Sequence, residues 1–264
     1  LMSPSPSLDA DPARCAGLPA ADQAVAHTLL NCLLREVSGP EHQSAIVDGH
    51  LLLRLPRRGV LLRVALRRTS LLGAHRFRGP VAEQRGGDWA EVDWRRLAEH
   101  MHAELTLRTG IGNEEFLEQI VSSHRGTAAA LMARADACAG PAGDRIDGYL
   151  RSEQSLLFGH RFHPTPKART GAEDAWSAYA PEAGVSFPLR CLAVRPHLIA
   201  EETAEPDATA GLDRLHPVPY GYRLLPAHPW QYELLRDNPA LRAALDREDV
   251  LDLGPGGPSC TPTA

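Results

Sequence analysis

The chain has 264 residues, of which 43% are hydrophobic and 23% charged, enough apolar sequence for a buried core in one large domain or two small ones. Its formal net charge is -5, so it lacks the broad basic excess that attracts nucleic acid or anionic lipid. Its apolar runs are shorter than the roughly 20 residues that span a bilayer, and its first residues lack the basic and apolar regions of a signal peptide. We therefore expect a cytoplasmic protein with no nucleic-acid partner and no membrane partner.

The cysteines are odd in number, widely spaced and free of any C-x-x-C pair. This pattern indicates neither a disulfide framework nor a cysteine-based zinc site. We interpret them as reduced thiols that lie partly in the core. The five residues are Cys15, Cys32, Cys138, Cys191 and Cys260.

The first predicted element is a helix from Ala21 to Val37. Apolar residues recur there at helical spacing, with Ala24, Leu29, Leu33 and Val37 near one face. The helix is therefore expected to be amphipathic and to pack on a core through that face.

Short runs rich in Leu, Val and Ile follow this helix. Turn residues separate them, at Asp48-Gly49 and again from Pro56 to Gly59. The pattern predicts an antiparallel meander, with a further strand around LLGAHRFRG and a loop at Gly86-Gly87. The strand candidates are SAIVDGH, LLLRLP and GVLLRVALRR.

Three helices are predicted next. Asp93 can cap a helix over WRRLAEHMHAELTLRT, and Gly110 follows it where a left-handed residue is expected. Asn113 can cap a second helix that continues until ACAGPAGD breaks it. The third helix, DRIDGYLRSEQSLLFG, ends at Gly159.

The remainder of the chain predicts a short helix and several strands. The helix lies near EDAWSAYA, and the strands are GVSFPLRCLAVRPH and YRLLP, the second of which leads into HPWQYELLRD. The last segment, DVLDLGPGGPSCTPTA, is interpreted as a strand followed by a Gly/Pro loop. The fold class expected from these elements is α+β with antiparallel sheet.

One segment, GHRFHPTPKARTG from Gly159 to Gly171, gathers groups with chemical potential. It contains the only lysine of the chain, Lys167, whereas the other basic side chains among the 28 Lys and Arg residues are arginines. Ammonium is a compact point charge and guanidinium a broad planar fork, so a lone lysine suggests a role that arginine does not fill. With Arg169 and two histidines nearby, the cluster suits a polyphosphate or a polycarboxylate.

A metal site is the alternative reading of His160 and His163. Two histidines three residues apart can share a metal, but a zinc site needs a third and usually a fourth ligand. No neighbouring Cys or acidic residue supplies one at the usual spacing, and the nearby basic side chains repel a cation. We assign no metal ligand, although a metal-dependent hydrolase and a purely structural histidine pair stay open as alternatives.

This segment resembles the G-H-x-x-H-P-x-x-K-x-R-x-G signature of the NRPS-independent siderophore synthetases, the family typified by the aerobactin synthetases. Every fixed position is present. Three further strings occur in the expected order, namely SEQSLL before the signature and YAPE and PAHPWQ after it. LLNCLLREV and the N-x-E-F-x-x-Q-I-x-x-S-H stretch from Asn113 to His124 are also similar to that family, so the resemblance extends from about Ala21 to Ala264.

The resemblance implies a hand-shaped enzyme of thumb, fingers and palm that uses ATP and Mg2+ in siderophore biosynthesis. Such an acid–amine ligase forms an acyl-adenylate on citrate or a related carboxylate, and an amine, hydroxylamine or alcohol then displaces AMP. Residues 1–140 would form the thumb-like helical and β-meander region. Residues 141–264 would form the first, incomplete part of the fingers-like nucleotide and carboxylate region. Members of the family often form homodimers, so a homodimer is one option for this chain.

The resemblance also assigns roles to the signature residues. His160 and His163 would be the catalytic pair that hydrogen-bonds phosphate or the reacting carboxylate. Lys167 and Arg169 would hold the phosphate charge of the cofactor ATP.

Two further groups are candidates on weaker signals. Ser122, Ser123 and His124 occur together on a predicted helix, and we place Ser123 and His124 at the edge of the nucleotide site. The alternative is an ordinary polar helix face. His228 and Gln231 in PAHPWQ are expected to bind substrate, although a helix start after the histidine explains part of that string.

The end of the chain departs from the family pattern. A P-T-x-S-x-R-T stretch is expected after the Gly/Pro loop, and here PTA ends at Ala264. We therefore expect a chain truncated before the C-terminal palm, and we expect the fragment alone to be inactive. The alternative function is a catalytically inactive remnant that binds nucleotide, carboxylate or a full-length partner.

Overall fold

A computed structural model describes residues 18–137, 145–169, 176–205 and 208–263. Contacts divide the chain into two compact units. The first comprises the described residues of Leu1–Gly148 and Ser155–Thr170, and the second those of Tyr149–Gln154 and Gly171–Ala264. The regions 1–140 and 141–264 stay a prediction, but the segment that carries the signature packs with the first unit.

The first unit opens with the predicted amphipathic helix. α1 runs over Ala21–Leu33 and continues as a π-helical turn over Leu34–Ser38. Leu29, Leu33 and Val37 are buried, as their spacing predicts. These three side chains therefore stay on the core side where the α-helix changes into the π-helical turn.

The predicted meander is confirmed as a five-stranded antiparallel sheet in the order β1-β2-β3-β4-β5. Asp48 and Gly49 both have positive φ and form the two-residue turn between the first two strands. The fifth strand was not predicted. The strands are β1 (Ser44–Val47), β2 (His50–Leu55), β3 (Val60–Arg68), β4 (Arg76–Arg85) and β5 (Asp88–Val92).

The core of this unit lies between one face of the sheet and the helices. Leu51, Leu53 and Leu55 alternate along β2 and are almost fully buried, as expected for side chains that share one face of a strand. They belong to the same apolar cluster as Leu29 and Leu97. Burying each such side chain contributes about 1.5–3 kcal/mol, which fixes the helices against the sheet.

Two long helices follow the sheet, α2 over Trp94–Thr109 and α3 over Glu115–Ala137. The predicted cap of α2 is confirmed, because the Arg96 amide donates to Asp93 Oδ1 over 2.7 Å, and Gly110 is left-handed with φ 71°. The buried carboxylate of Glu104 accepts the Arg58 amide over 2.8 Å and so ties α2 to the turn between β2 and β3. The predicted break at ACAGPAGD lies outside the described residues after Ala137.

The third predicted helix is shorter than expected. α4 covers Arg145–Glu153, and turns replace the rest of the predicted span up to Gly159. The early part of the helix near EDAWSAYA lies outside the described residues. Trp176 and Ser177 are helical at its described end.

The second unit is built on a three-stranded antiparallel sheet in the order β7-β6-β8. Leu192 and Val194 of the central strand are buried with Ala244 and Val250 in its small core. Helix α6 was not predicted. The elements are β6 (Phe187–Val194), β7 (Arg223–Ala227), α5 (Pro229–Leu235), α6 (Pro239–Asp246) and β8 (Val250–Cys260), with 3-10 turns at Pro181–Ala183, Pro196–Leu198 and Leu212–Arg214.

The interpretation of GPGGP as a loop is wrong. β8 continues through it to Cys260 and stays paired with β6, with Gly254 opposite Cys191 and Ser259 opposite Pro188. Two irregularities of register accompany the glycines, and β8 lies at an edge of the described sheet, where proline is tolerated. Tertiary pairing has thus overridden the local turn signal.

Within the four described ranges, no helix is long and apolar enough to cross a membrane.

Candidate functional site

The signature segment turns back on itself at its first glycine. Gly159 has φ +64°, and a Cβ placed there would lie 2.9 Å from Pro166 Cβ and 3.6 Å from Lys167 Cε. An L side chain would be strained and would collide with Pro166. Glycine at this position is what allows the two ends of the segment to pack together.

Lys167 lies buried against helix α3. Its residue is 4% exposed, and its amide donates a hydrogen bond to Ser123 Oγ over 3.0 Å. Gly126 provides the space, since a Cβ on it would lie 2.7 Å from the carbonyl oxygen of Lys167. The backbone of Lys167, the only lysine of the chain, is therefore held against α3.

Arg169 is held on the same helix by a reciprocal pair of bonds. Its amide donates to Ser122 Oγ over 3.0 Å, and that hydroxyl donates to the Arg169 carbonyl over 3.1 Å. The guanidinium Nη1 donates to the Ala168 carbonyl over 3.0 Å. Both serine hydroxyls thus bond to the backbone of the signature segment.

His124 contacts other elements. Its ring stacks on Trp94 of α2 with centroids 4.3 Å apart, and its Nε2 lies 2.6 Å from Asp22 Oδ1 of α1. Consecutive helical residues point about 100° apart, so His124 faces α1 and α2 while Ser123 faces the signature segment. The assignment of Ser123 and His124 to the nucleotide site stays a prediction. The contacts of His124 with Trp94 and Asp22 do not depend on a nucleotide.

His160 and His163 form an exposed turn, in which the His163 amide donates to the His160 carbonyl over 3.1 Å. His163 Nδ1 accepts the Thr165 amide over 3.2 Å, so the proton of its neutral ring belongs on Nε2. The ring can therefore donate one hydrogen bond from Nε2. His160 packs edge-on to Phe162, with centroids 6.1 Å apart.

Sequence reasoning passed over the two residues between these histidines. Arg161 Nη2 donates to the His75 carbonyl over 2.8 Å, and the Phe162 ring has Arg35 Cζ at 4.9 Å and Arg161 Cζ at 5.5 Å from its centroid. Burial, with the charge of nearby Arg76, lowers the pKa of Arg161. These positions vary in the signature, so only the contacts show that they anchor the turn.

The other two candidates lie in the second unit. His228 is the N-cap of α5, where its Nδ1 accepts the Trp230 amide over 3.2 Å. Its ring packs on Tyr179 and Phe187 at centroid distances of 4.9 and 5.0 Å, and burial lowers its pKa. Gln231 lies exposed in the first turn of the same helix.

A polar network that the sequence did not suggest lies beside α5. Asp252 accepts hydrogen bonds from Arg190 Nε over 2.7 Å and from the Tyr232 hydroxyl over 2.5 Å. Burial works to raise the pKa of Asp252, but these bonds and that from the Gly254 amide outweigh it and lower the pKa. The sequence did not reveal this network because Arg190 and Tyr232 lie 62 and 20 residues from Asp252 in the chain. An open pocket adjoins this network and is lined by Tyr179, Phe187, Arg190, Pro229, Tyr232 and Pro255.

The structure brings Lys167, Arg169, Ser122 and Ser123 together in the first unit and His228 with Gln231 in the second. No group of three or more His, Cys, Asp or Glu side chains that could hold a metal occurs in the described part of the chain. In the first unit the contacts fix the backbone of Lys167 and Arg169 on α3, and ammonium and guanidinium are groups that bind carboxylate and phosphate.

The fold is similar to that of an aerobactin synthetase of known structure. The ATP-bound aerobactin synthetase IucA of Klebsiella pneumoniae superimposes with a TM-score of 0.75 over 91% of this chain and 45% of that one, at 24% identity. The predicted α+β class with antiparallel sheets is confirmed by this match.

Sequence comparison gives the same answer. Residues 148–264 match the model of the IucA / IucC family. The rhizobactin siderophore biosynthesis protein RhbC of Rhizobium meliloti is 32% identical over 255 residues, which are 90% of this chain and 43% of that protein. The L-2,3-diaminopropanoate–citrate ligase of Staphylococcus aureus is 37% identical over 128 residues, which are 45% of this chain and 22% of that protein.

Residues 148–264 match the IucA / IucC family and most of the chain is similar to siderophore biosynthesis proteins, which confirms the resemblance that the signature predicts. The chain spans less than half the length of the relatives it matches.

Proposed function

We propose that the protein acts in siderophore biosynthesis as an ATP-dependent ligase that couples citrate or a related carboxylate to an amine, hydroxylamine or alcohol. The name of the Staphylococcus aureus relative, a diaminopropanoate–citrate ligase, describes such a coupling of an amine with citrate. The IucA structure that superimposes on this chain is described as ATP-bound.

The observation that carries the proposal is the placement of Lys167. The only lysine of the chain is buried on α3 within the family signature, with Arg169 bonded to the same helix two residues later. An ammonium held in partly desolvated surroundings interacts more strongly with phosphate than one in water. This placement suits the recognition of a polyphosphate.

In the proposed reaction, a carboxylate oxygen of the acid attacks the α-phosphorus of ATP and pyrophosphate leaves. The nucleophile then attacks the acyl carbon, loses a proton, and displaces AMP. Lys167 and Arg169 would hold phosphate oxygens. His163, with its proton on Nε2, would donate to a phosphate or to the acid, and His160 would lie beside it.

Mg2+ would arrive with the nucleotide. Mg2+ is commonly held by substrate phosphates with only one or two protein ligands. When bound, the ion would neutralise phosphate charge.

His228 and Gln231 would bind the acid or the amine.

The test is hydroxamate formation by the full-length gene product. ATP, Mg2+ and hydroxylamine are supplied with a panel that includes citrate, 2-oxoglutarate and succinate, and both nucleotide products are measured. The proposal expects acid-dependent hydroxamate with stoichiometric AMP and pyrophosphate. Formation of ADP and inorganic phosphate, or hydroxamate yields unaffected by omission of ATP, would contradict it.

A further inference from the structure

Three backbone groups of the signature segment end on two adjacent hydroxyls of α3. The Lys167 amide donates to Ser123 Oγ, while the Arg169 amide and carbonyl both bond to Ser122 Oγ. These bonds join residues 44 and 47 positions apart in the chain. The segment therefore follows the helix through hydroxyls, much as a strand follows its neighbour through backbone groups.

The two serines depart from the usual behaviour of hydroxyls inside a helix. Such hydroxyls commonly bond to the carbonyl one turn earlier. Thr127 does this, since its Oγ1 donates to the Ser123 carbonyl over 2.9 Å. The hydroxyls of Ser122 and Ser123 instead form hydrogen bonds with the backbone of the signature segment.

Gly126 completes the arrangement. It follows Ser123 by three residues and Ser122 by four, so the three positions are neighbours on the helix surface. A Cβ on Gly126 would meet both the carbonyl oxygen and the Cβ of Lys167, at 2.7 and 3.1 Å. The helix surface thus presents two hydroxyls, and beside them the missing side chain of Gly126 leaves room for the backbone of Lys167.

We propose that Ser122, Ser123 and Gly126 form a seat on α3 whose role is to position Lys167 and Arg169 for the nucleotide phosphates. The inference rests on the proposed function and deepens it. The three residues act through the backbone of 167–169 and make no contact with ATP. This assigns Ser123 a role different from the nucleotide contact predicted for it.

A positioning role and a merely structural one differ in what they change. Loss of a structural bond lowers stability and leaves the environment of Lys167 unaltered in molecules that remain folded. Loss of the seat changes the exposure of the Lys167 amine and its protection by ATP. Because Lys167 is the only lysine in these 264 residues, an amine-directed reagent followed by peptide mapping reports on it specifically.

The experiment measures the labelling rate of Lys167 in the full-length protein with and without MgATP, together with the melting temperature. The variants are Ser122→Ala, Ser122→Ala/Ser123→Ala, and Ser122→Thr, which keeps the hydroxyl. Thr127→Val is the matched control, since it removes a buried hydroxyl of the same helix that bonds within the helix.

We expect MgATP to protect Lys167 in the wild type and in the Thr127→Val and Ser122→Thr variants. The double alanine variant should label about tenfold faster without ATP, as expected for loss of net hydrogen bonds, and should need a higher ATP concentration for protection. If the double variant does not fold, the Ser122→Ala variant serves as the test, since Ser122 is partly exposed and its loss should disturb the fold less. Its Lys167 labelling rate should change in the same direction but by a smaller factor.

The outcomes separate the two proposals. Absence of ATP protection in the wild type would overturn the proposed nucleotide site, and the seat with it. Protection in the wild type, with unchanged labelling and protection in the alanine variants, would overturn the seat alone. An equal change in Thr127→Val would also overturn it, because general loosening of α3 would then explain the result.

Discussion

Gly126 and Lys167 pack backbone against backbone: a methyl group on the glycine would lie 2.7 Å from the lysine's carbonyl oxygen. The atom it would meet belongs to the main chain, so it cannot move aside as a flexible side-chain end could. Helix α3 therefore packs tightly against the backbone of the residue that we place in the phosphate site.

The first prediction concerns Gly126→Ala. Overpacking at this contact should destabilise the first unit by about 1–3 kcal/mol. Gly148→Ala is the control, because beyond its chain neighbours and the backbone of its own helix no described atom lies within 4 Å of a Cβ there, and alanine favours a helix such as α4 by up to about 1 kcal/mol. Thermal denaturation should show opposite shifts, and equal melting temperatures for the two variants would refute the contact.

Gly159→Ala tests the fold of the signature segment. The substitution combines a strained positive φ, costing about 1–2 kcal/mol, with a Cβ 2.9 Å from Pro166 Cβ. Gly73→Ala has a similar φ of +72° and no described neighbour within 4 Å, so it reports strain alone. The difference between the two melting temperatures measures the collision. If Gly73→Ala is as destabilising as Gly159→Ala, the segment is looser than described.

Substitution of Lys167 separates charge from packing. Removing a charge-assisted contact to phosphate should cost roughly 1.5–3 kcal/mol, or about one to two decades in kcat/KM for ATP. Lys167→Met keeps much of the buried volume and should lose as much activity as Lys167→Ala while melting closer to the wild type. Lys167→Arg should recover little, because a guanidinium is larger than an ammonium and the residue is only 4% exposed. Wild-type kinetics in the arginine variant would show that the lysine has no special role.

His228 should make the stability of the second unit depend on pH. Burial lowers its pKa from the ordinary value of 6.5. Well above pH 6.5 the imidazole is neutral in both states. As the pH falls through 6.5 toward the lowered folded-state value, the unfolded chain binds the proton more readily, and the free energy of unfolding decreases.

Two variants isolate this effect. His228→Asn keeps an N-cap for α5 and removes the titration, so its melting temperature should fall less between pH 7 and pH 5 than that of the wild type. His228→Ala also removes the cap and should be about 1 kcal/mol less stable at neutral pH. NMR titration of the ring gives the direct measurement, and a midpoint above 6.5 would contradict the predicted direction.

Local signals in the sequence were sufficient for many elements of the fold. The Asp93 cap, the left-handed Gly110 and the Asp48-Gly49 turn were all predicted and are present. Each depends on interactions within a few residues, so a short stretch of sequence contains the whole cause.

Elements that depend on distant partners were missed. β8 passes through a Gly/Pro run that predicts a loop, because the run pairs with residues of β6 that lie more than 60 positions earlier in the chain. This pairing supplies the stabilisation that the local sequence lacks. β5 and α6 were missed as well. Strand pairing is decided by what lies opposite, which periodicity in one segment does not reveal.

The same division applies to the site. The sequence alone identified the signature, the unique Lys167 and its neighbours Arg169, His160 and His163, because their residue types and spacing are written in one short segment. Only the tertiary structure decided what that segment rests on. The hydroxyls of Ser122 and Ser123 reach it from a helix more than 40 residues earlier, and which face of α3 would meet which backbone group depends on how the chain packs.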